Sequence, residues 1–342
     1  MSQMRLEAGQ APAVVARLLA ADAAAYAALG EALRGAPPQS ILTLARGSSD
    51  HAAHYCGYML MARLGRLVTS LPMSLITLYG AKIEGQGLLT LAFSQSGQSP
   101  DLVEPTQILS ARGACSVAFV NDTASPLAHA ARWTCGLHAG VERSVAATKS
   151  FIAQMTAGAR LVATWQGDAR LRDALDALPA ALDEALLAGQ AWCDVGVPAL
   201  QHAERLYVVG RGTGLAVAME AALKLKEVCG IQAEAVSGAE LRHGPLALVG
   251  PGYPVLVLAP RGPAQAGLLA LAEDLRQRGA EVLLAAPPGT PAAVLPLTPT
   301  GDVDLDPVAA IQSFYLLAEA LARARGRDPD HPPNLAKVTR TH

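Results

Sequence analysis

A chain of 342 residues, 51 % hydrophobic and only 4 % aromatic, is long enough to bury a large and mainly aliphatic core. Its 27 basic side chains against 29 acidic ones leave a formal charge of −2, which excludes the broad basic face of a nucleic-acid binder; the hydrophobic content excludes a disordered chain. The sequence has no run near the roughly 20 apolar residues of a membrane span, no signal-peptide pattern around Arg5 and Glu7, and five scattered cysteines (Cys56, Cys115, Cys135, Cys193, Cys229) that form no disulfide framework. The expectation is a cytoplasmic α/β protein with no nucleic-acid and no membrane partner.

In chain order, residues 1–36 read as a helical arm. Ile41–Ala45 is a short buried strand that runs into Arg46-Gly47-Ser48-Ser49-Asp50. Leu88–Phe93 is a strand followed by Ser94-Gln95-Ser96-Gly97-Gln98-Ser99, with Ser99 placed to cap a helix whose first residue is Pro100. Cys115–Val120 is the next strand, and Asp168–Ala191 is helical. Leu206–Gly210 is again a strand, Leu215–Cys229 a helix, and Val255–Ala259 and Val282–Ala286 are strands. Three strand-end patterns recur in order at an offset of about 166 residues: Arg46-Gly47 with Arg211-Gly212, Leu89–Ala92 with Leu256–Ala259, and Arg112-Gly113-Ala114 with Arg278-Gly279-Ala280. Such a repeat predicts two copies of one doubly wound parallel α/β domain. The boundaries are then 37–165 for the first domain, 166–197 for a helical linker, 198–328 for the second domain and 329–342 for a tail.

Ligands of open parallel sheets bind at the carboxyl ends of strands. There the Ser94–Ser99 loop offers hydroxyls, backbone N–H groups and a helix N-terminus, all suited to a phosphate. The Arg46–Asp50 loop has the same position after its own strand. A polar turn that merely caps a helix fits the same residues. His51, His54 and Cys56 lie close together but match no strong metal pattern. Of five lysines, Lys224 stands three residues before Glu227 on one helical face, which suits either a surface ion pair or a half-buried one.

Taken together these segments resemble the sugar isomerase (SIS) family, in particular the isomerase half of glutamine:fructose-6-phosphate amidotransferase. The motifs that carry the resemblance are Ser94-Gln-Ser-Gly97, Val145-Ala-Ala-Thr-Lys149, Ala221–Glu227, Glu240–Leu248 and Asn334-Leu-Ala-Lys337. The resemblance implies two tandem SIS domains and a sugar phosphate bound by Ser48, Ser49, Ser94, Gln95, Ser96 and Ser99, with Val145, Ala147 and Ala336 beside the sugar. Ala147 stands where the synthases carry a serine, and Ser99 where the family has a threonine. Glu227 matches the base that moves a proton between sugar C1 and C2, and Lys224 its partner. Lys337 matches the tail lysine that forms an imine with the open-chain ketose, and His243 the ring-opening histidine contributed by the other subunit of a homodimer.

These roles suit the residues, because an aldose–ketose shift needs one base able to take a proton from carbon and return it next door. No redox or metal cofactor is required. From the start Met1-Ser2-Gln3 the expectation is that the glutaminase domain of the synthases is absent. Glu142–Ser150 looks more like the type II glucosamine-6-phosphate deaminases. The expected activity is conversion of glucosamine 6-phosphate to fructose 6-phosphate and ammonia. A fructosamine-6-phosphate deglycase, another phosphosugar isomerase or a non-catalytic phosphosugar-binding regulator are the alternatives.

Overall fold

The computed structural model describes residues 1–337. Helices α1 (Gln3–Gly9), α2 (Ala11–Ala20) and α3 (Ala23–Gly35) lead into β1 (Ser40–Leu44). There follow α4 (Ser48–Leu64), β2 (Val68–Ser70), α5 (Ser74–Thr77), β3 (Leu88–Ser94), α6 (Pro100–Ala111), β4 (Cys115–Val120), α7 (Pro126–Ala130) and β5 (Trp133–Gly136). Helices α8 (Lys149–Gln166), α9 (Ala169–Asp176) and α10 (Leu178–Leu200) precede β6 (Arg205–Gly210), α11 (Thr213–Lys224) and a π-helical turn over Leu225–Cys229. The chain continues through β7 (Gln232–Ser237), two short 3-10 turns, β8 (Pro254–Leu258), α12 (Gln265–Gln277), β9 (Glu281–Ala286), β10 (Leu295–Pro296) and α13 (Asp306–Ala324). Among the described residues no single helix is long and apolar enough to cross a membrane.

Two compact units share the chain, each assembled from separate stretches. Among the described residues the first takes Ala13–Glu142, Lys149–Asp176 and Ala336 with Lys337. Its five strands are parallel in the order β2-β1-β3-β4-β5. Strands buried on both faces need apolar residues at successive positions, and Leu91–Phe93 and Val117–Val120 supply them, with Phe93 and Phe119 stacked at 4.5 Å. Helix α8 is buried on nearly every side. It lies close to α4 because position 158 is glycine: a Cβ there would stand 2.9 Å from Cys56 Cβ.

The second unit takes Met1–Pro12, Arg143–Thr148 and Ala177–Leu335. Its strands, again parallel, run β10-β9-β8-β6-β7. Read from the β7 edge, this is the order of the first sheet. The α/β class with two doubly wound parallel sheets, expected from the strand-end repeat, is therefore the fold observed. Val209, Val255, Val257, Leu268, Leu271 and Leu284 form its core on one face. Trp192 of α10 meets Phe314 of α13 edge-on at 6.5 Å and donates its indole N–H to the Pro296 carbonyl at 2.8 Å. Ser2 caps α1, while Asp330 accepts the Gln3 and Met4 amides at 2.7 Å each.

The helix expected over Leu215–Cys229 is α-helical only as far as Lys224. It then widens by one residue per turn, so that the Gly230 and Ile231 amides both reach Leu225 O, and it ends at Gly230 with φ +62°. Arg325 holds this ending. Its guanidinium donates to Cys229 O at 2.8 Å, Gln201 O at 2.7 Å and Ala203 O at 2.9 Å, which satisfies the exposed carbonyls of the π turn and of the α10 end together. Arg325→Ala is expected to cost about 2–3 kcal/mol, read as a lower midpoint at unchanged slope in urea unfolding.

Candidate active site

In the first unit β1 and β3 are neighbours, with Thr43 opposite Leu91 and Leu44 opposite Ala92. Their outgoing loops therefore leave the carboxyl edge of the sheet side by side, at the point where strand order reverses. Ser48 and Ser49 open α4, and Ser99 is the N-cap of α6 with Pro100 as its first residue, so two helix N-termini flank the loops. Gly97 makes the Ser94–Ser99 turn: its φ is +64°, and a Cβ there would lie 2.1 Å from Ser125 Oγ. Buried Ser94 accepts the Gly97 amide at 2.9 Å through Oγ, so this hydroxyl shapes the loop. Ser96 Oγ takes the Gln98 amide at 3.3 Å, and Ser49 Oγ takes Gln154 Nε2 at 2.9 Å. Ser99 caps by backbone geometry without a side-chain hydrogen bond. Gln95 is half-buried, with its carbonyl bound to the Asn121 amide. Arg46 Nε reaches Asp101 at 2.9 Å and so ties the first loop to the first turn of α6.

Next to these loops, burial raises the Asp50 carboxyl above its ordinary range and lowers the His54 imidazole. Among the described residues no group of three His, Cys, Asp or Glu side chains could hold a metal ion.

The tail lysine has a defined place in the same unit. Lys337 Nζ lies 3.1 Å from Glu142, whose side chain has no solvent exposure. Ala336 beside it is exposed.

The second unit builds its charged centre from the end of α11 and the π turn that follows it. Lys224, 1 % exposed, points its ammonium at Glu220 at 3.4 Å and at Glu227, to which it is also hydrogen-bonded. Glu220 is fully buried and takes the Tyr315 hydroxyl of α13 at 3.3 Å. Burial alone would push the Lys224 ammonium down; the two carboxylates more than reverse this and hold it above the ordinary lysine value. Glu227 differs from Glu220 in keeping 21 % of its side chain exposed. It is a carboxylate anchored from behind by a buried cation and open in front, as a proton carrier requires.

His243 follows a 3-10 turn and is exposed; its ring makes no hydrogen bond or ion pair among the described residues. The second unit thus joins Lys224 to Glu227 but binds His243 to neither. Val145 and Ala147 are half-buried on the strap 143–148. Fully buried Glu7 of α1 holds that strap by accepting the Arg143 and Ser144 amides, and Val145 N–H meets Asp330 O at 3.4 Å. Sequence reasoning missed Glu220, Glu142 and Glu7. Only Glu220 left a signal, at four residues before Lys224 on the same helical face.

Residues 36–163 and 199–288 match the SIS domain model. The chain belongs to the SIS domain family. It is 37 % identical over 314 residues to the glutamine–fructose-6-phosphate aminotransferase (isomerizing) of Aeropyrum pernix, covering 87 % of this chain and 50 % of that protein. The chain spans about half the length of the curated relatives it matches. A crystal structure from Silicibacter pomeroyi, of a protein assigned as a phosphosugar isomerase, superposes with a TM-score of 0.87 at 41 % identity, over 96 % of this chain and 100 % of that one. The C-terminal domain of glucosamine-fructose-6-phosphate aminotransferase from Francisella tularensis shares the fold, with a TM-score of 0.85 at 24 % identity over 97 % of this chain and 98 % of that one.

Replacing Lys224 by Met leaves Glu220 buried without its cation and should cost about 3–5 kcal/mol. Because the lysine is raised in the folded state, its contribution is complete below the ordinary lysine value and fades as pH rises past the folded value. Unfolding free energy measured from pH 7 into the alkaline range should fall for the wild type, and the K224M–wild-type difference should shrink with it.

Proposed function

We propose that the protein is an aldose–ketose isomerase that releases ammonia from glucosamine 6-phosphate. The observation that carries this reading is the Glu220–Lys224–Glu227 cluster: one partly exposed carboxylate at a helix end, backed by a buried cation. In this reading the hydroxyls and amides of the Ser48–Ser49 and Ser94–Ser99 loops take the phosphate, and Val145, Ala147 and Ala336 lie along the sugar. His243 of a second copy assists ring opening. Glu227 removes the C2 proton of the open-chain aldehyde and returns it to C1, leaving C1 as CH2OH and C2 as an imine. The Lys337 amine adds to that imine and expels ammonia; water then hydrolyses the lysine-bound imine to fructose 6-phosphate. Lys224 stabilises the charge that develops as the proton moves.

The resemblance of Glu142–Ser150 to the type II glucosamine-6-phosphate deaminases supports the ammonia-releasing direction.

Purified protein given glucosamine 6-phosphate should produce ammonia and fructose 6-phosphate in equal amounts. Glu227→Gln should lose at least about a hundredfold in turnover while sugar-phosphate binding, read as thermal stabilisation, persists. Wild-type turnover by E227Q sinks the assignment. Thermal stabilisation without either product redirects the search to fructosamine 6-phosphates. Light scattering under assay conditions should find activity only in the dimer.

A further inference from the structure

Lys337 and Glu142 are 195 positions apart in sequence, and the carboxylate that meets the tail amine is sealed from solvent. A buried carboxylate is costly unless donors surround it. Here Ser150 supplies two, its amide to Oε1 at 3.1 Å and its hydroxyl to Oε2 at 2.5 Å. Ser150 is the second residue of the 18-residue helix α8, whose N-terminus favours negative charge at this point. The neighbouring cation, Lys149, turns its ammonium to the Val141 carbonyl at 2.6 Å. Lys337 Nζ reaches Oε2 at 3.1 Å, the same oxygen that Ser150 Oγ holds.

We infer that Glu142 docks the Lys337 amine and carries its proton during imine exchange with the sugar, a role that rests on the reading of Lys337 given above. An ammonium has no lone pair with which to attack carbon. As Lys337 Nζ adds to the C2 carbonyl of the open-chain ketose, its proton passes to Glu142 Oε2. The carboxylic acid returns that proton to the carbinolamine oxygen, making a hydroxyl; a second proton follows the same route from Nζ through Oε2 to the hydroxyl, and the C–O bond breaks as water leaves. Lysine ammonium and ketone have become protonated imine and water, with Glu142 again ionised. When the partner is the C2 imine of the amino sugar, the same exchange releases ammonia in place of water. Ser150 is a positioning residue in this scheme, acting through the carboxylate it fixes.

The test uses the full chain with fructose 6-phosphate and borohydride, and mass spectrometry to locate the reduced adduct on Lys337. In Glu142→Gln, which keeps the shape and loses the base, the trapping rate should fall by about tenfold or more. Thermal stabilisation by fructose 6-phosphate should stay as in the wild type, because the loop hydroxyls are untouched. Glu142→Asp should recover part of the rate, which a merely structural role would not give. Trapping by E142Q at the wild-type rate overturns the inference. Should E142Q fail to fold, Ser150→Ala is read in the same way, with a smaller fall expected and an unchanged rate overturning the proposal. If wild-type protein traps no sugar, the reading of Lys337 as the imine-forming amine fails, and acetylation of Lys337 by acetic anhydride decides the docking by itself. The amine freed in E142Q should then react severalfold faster than in the wild type, and equal rates exclude the dock.

Discussion

An ammonium taken wholly out of water has to be answered by carboxylates within reach, and much of the second unit is arranged around that demand at Lys224. Glu220 and Glu227 lie one turn to either side of it on the same chain segment. Glu220 is itself buried and needs a donor, which brings in Tyr315 and ties α11 to α13. Glu227 falls in the π turn, whose wider pitch is closed off at Gly230 and held by Arg325 from the end of α13. Each group answers the requirement created by the one before it, and the outermost of them is the carboxylate that keeps contact with solvent.

The first unit meets the opposite need, an edge where an anion is welcome. Parallel strands make this possible, because each helix begins where its strand ends and so the N-termini collect at one side. The hydroxyls there are not equivalent. Ser94 is committed to the turn that Gly97 allows and Ser49 is met by Gln154, whereas Ser99 makes no side-chain cap. The loop is thus partly scaffold and partly donor surface, a distinction its composition does not carry.

The fold was readable because buried parallel strands leave a plain trace, short aliphatic runs that end in Gly or Arg, and because the trace occurs twice. The Lys224–Glu227 contact was readable from helical spacing. Its burial was not, since that depends on Tyr315 and α13 almost a hundred residues later. The π turn escaped notice for a similar reason: nothing in Leu225–Cys229 departs from helical composition, and the side chain that sustains it is Arg325. Glu142 stood at the head of the quoted Glu142–Ser150 motif with no role assigned, because its pairing with Ser150 depends on the fold of that loop onto α8 and its pairing with Lys337 spans 195 positions. Glu7 entered the sequence reading only as an early charge that argues against a signal peptide; it is fully buried and holds the strap that carries Val145. What local pattern conveys is the element; what it omits is the distant side chain that satisfies the element's last polar group.

Three tryptophans are spread unevenly over this architecture. Trp192, wedged against Phe314 with its indole N–H on Pro296, belongs to the second unit, whereas Trp133 and Trp165 belong to the first. Each unit therefore carries its own intrinsic fluorophore. With Trp192 replaced by Phe, the remaining tryptophan emission reports on the first unit alone, and with Trp133 and Trp165 replaced it reports on the second. The two halves of a duplicated fold can then be followed by light as separate bodies while the chain that joins them stays whole.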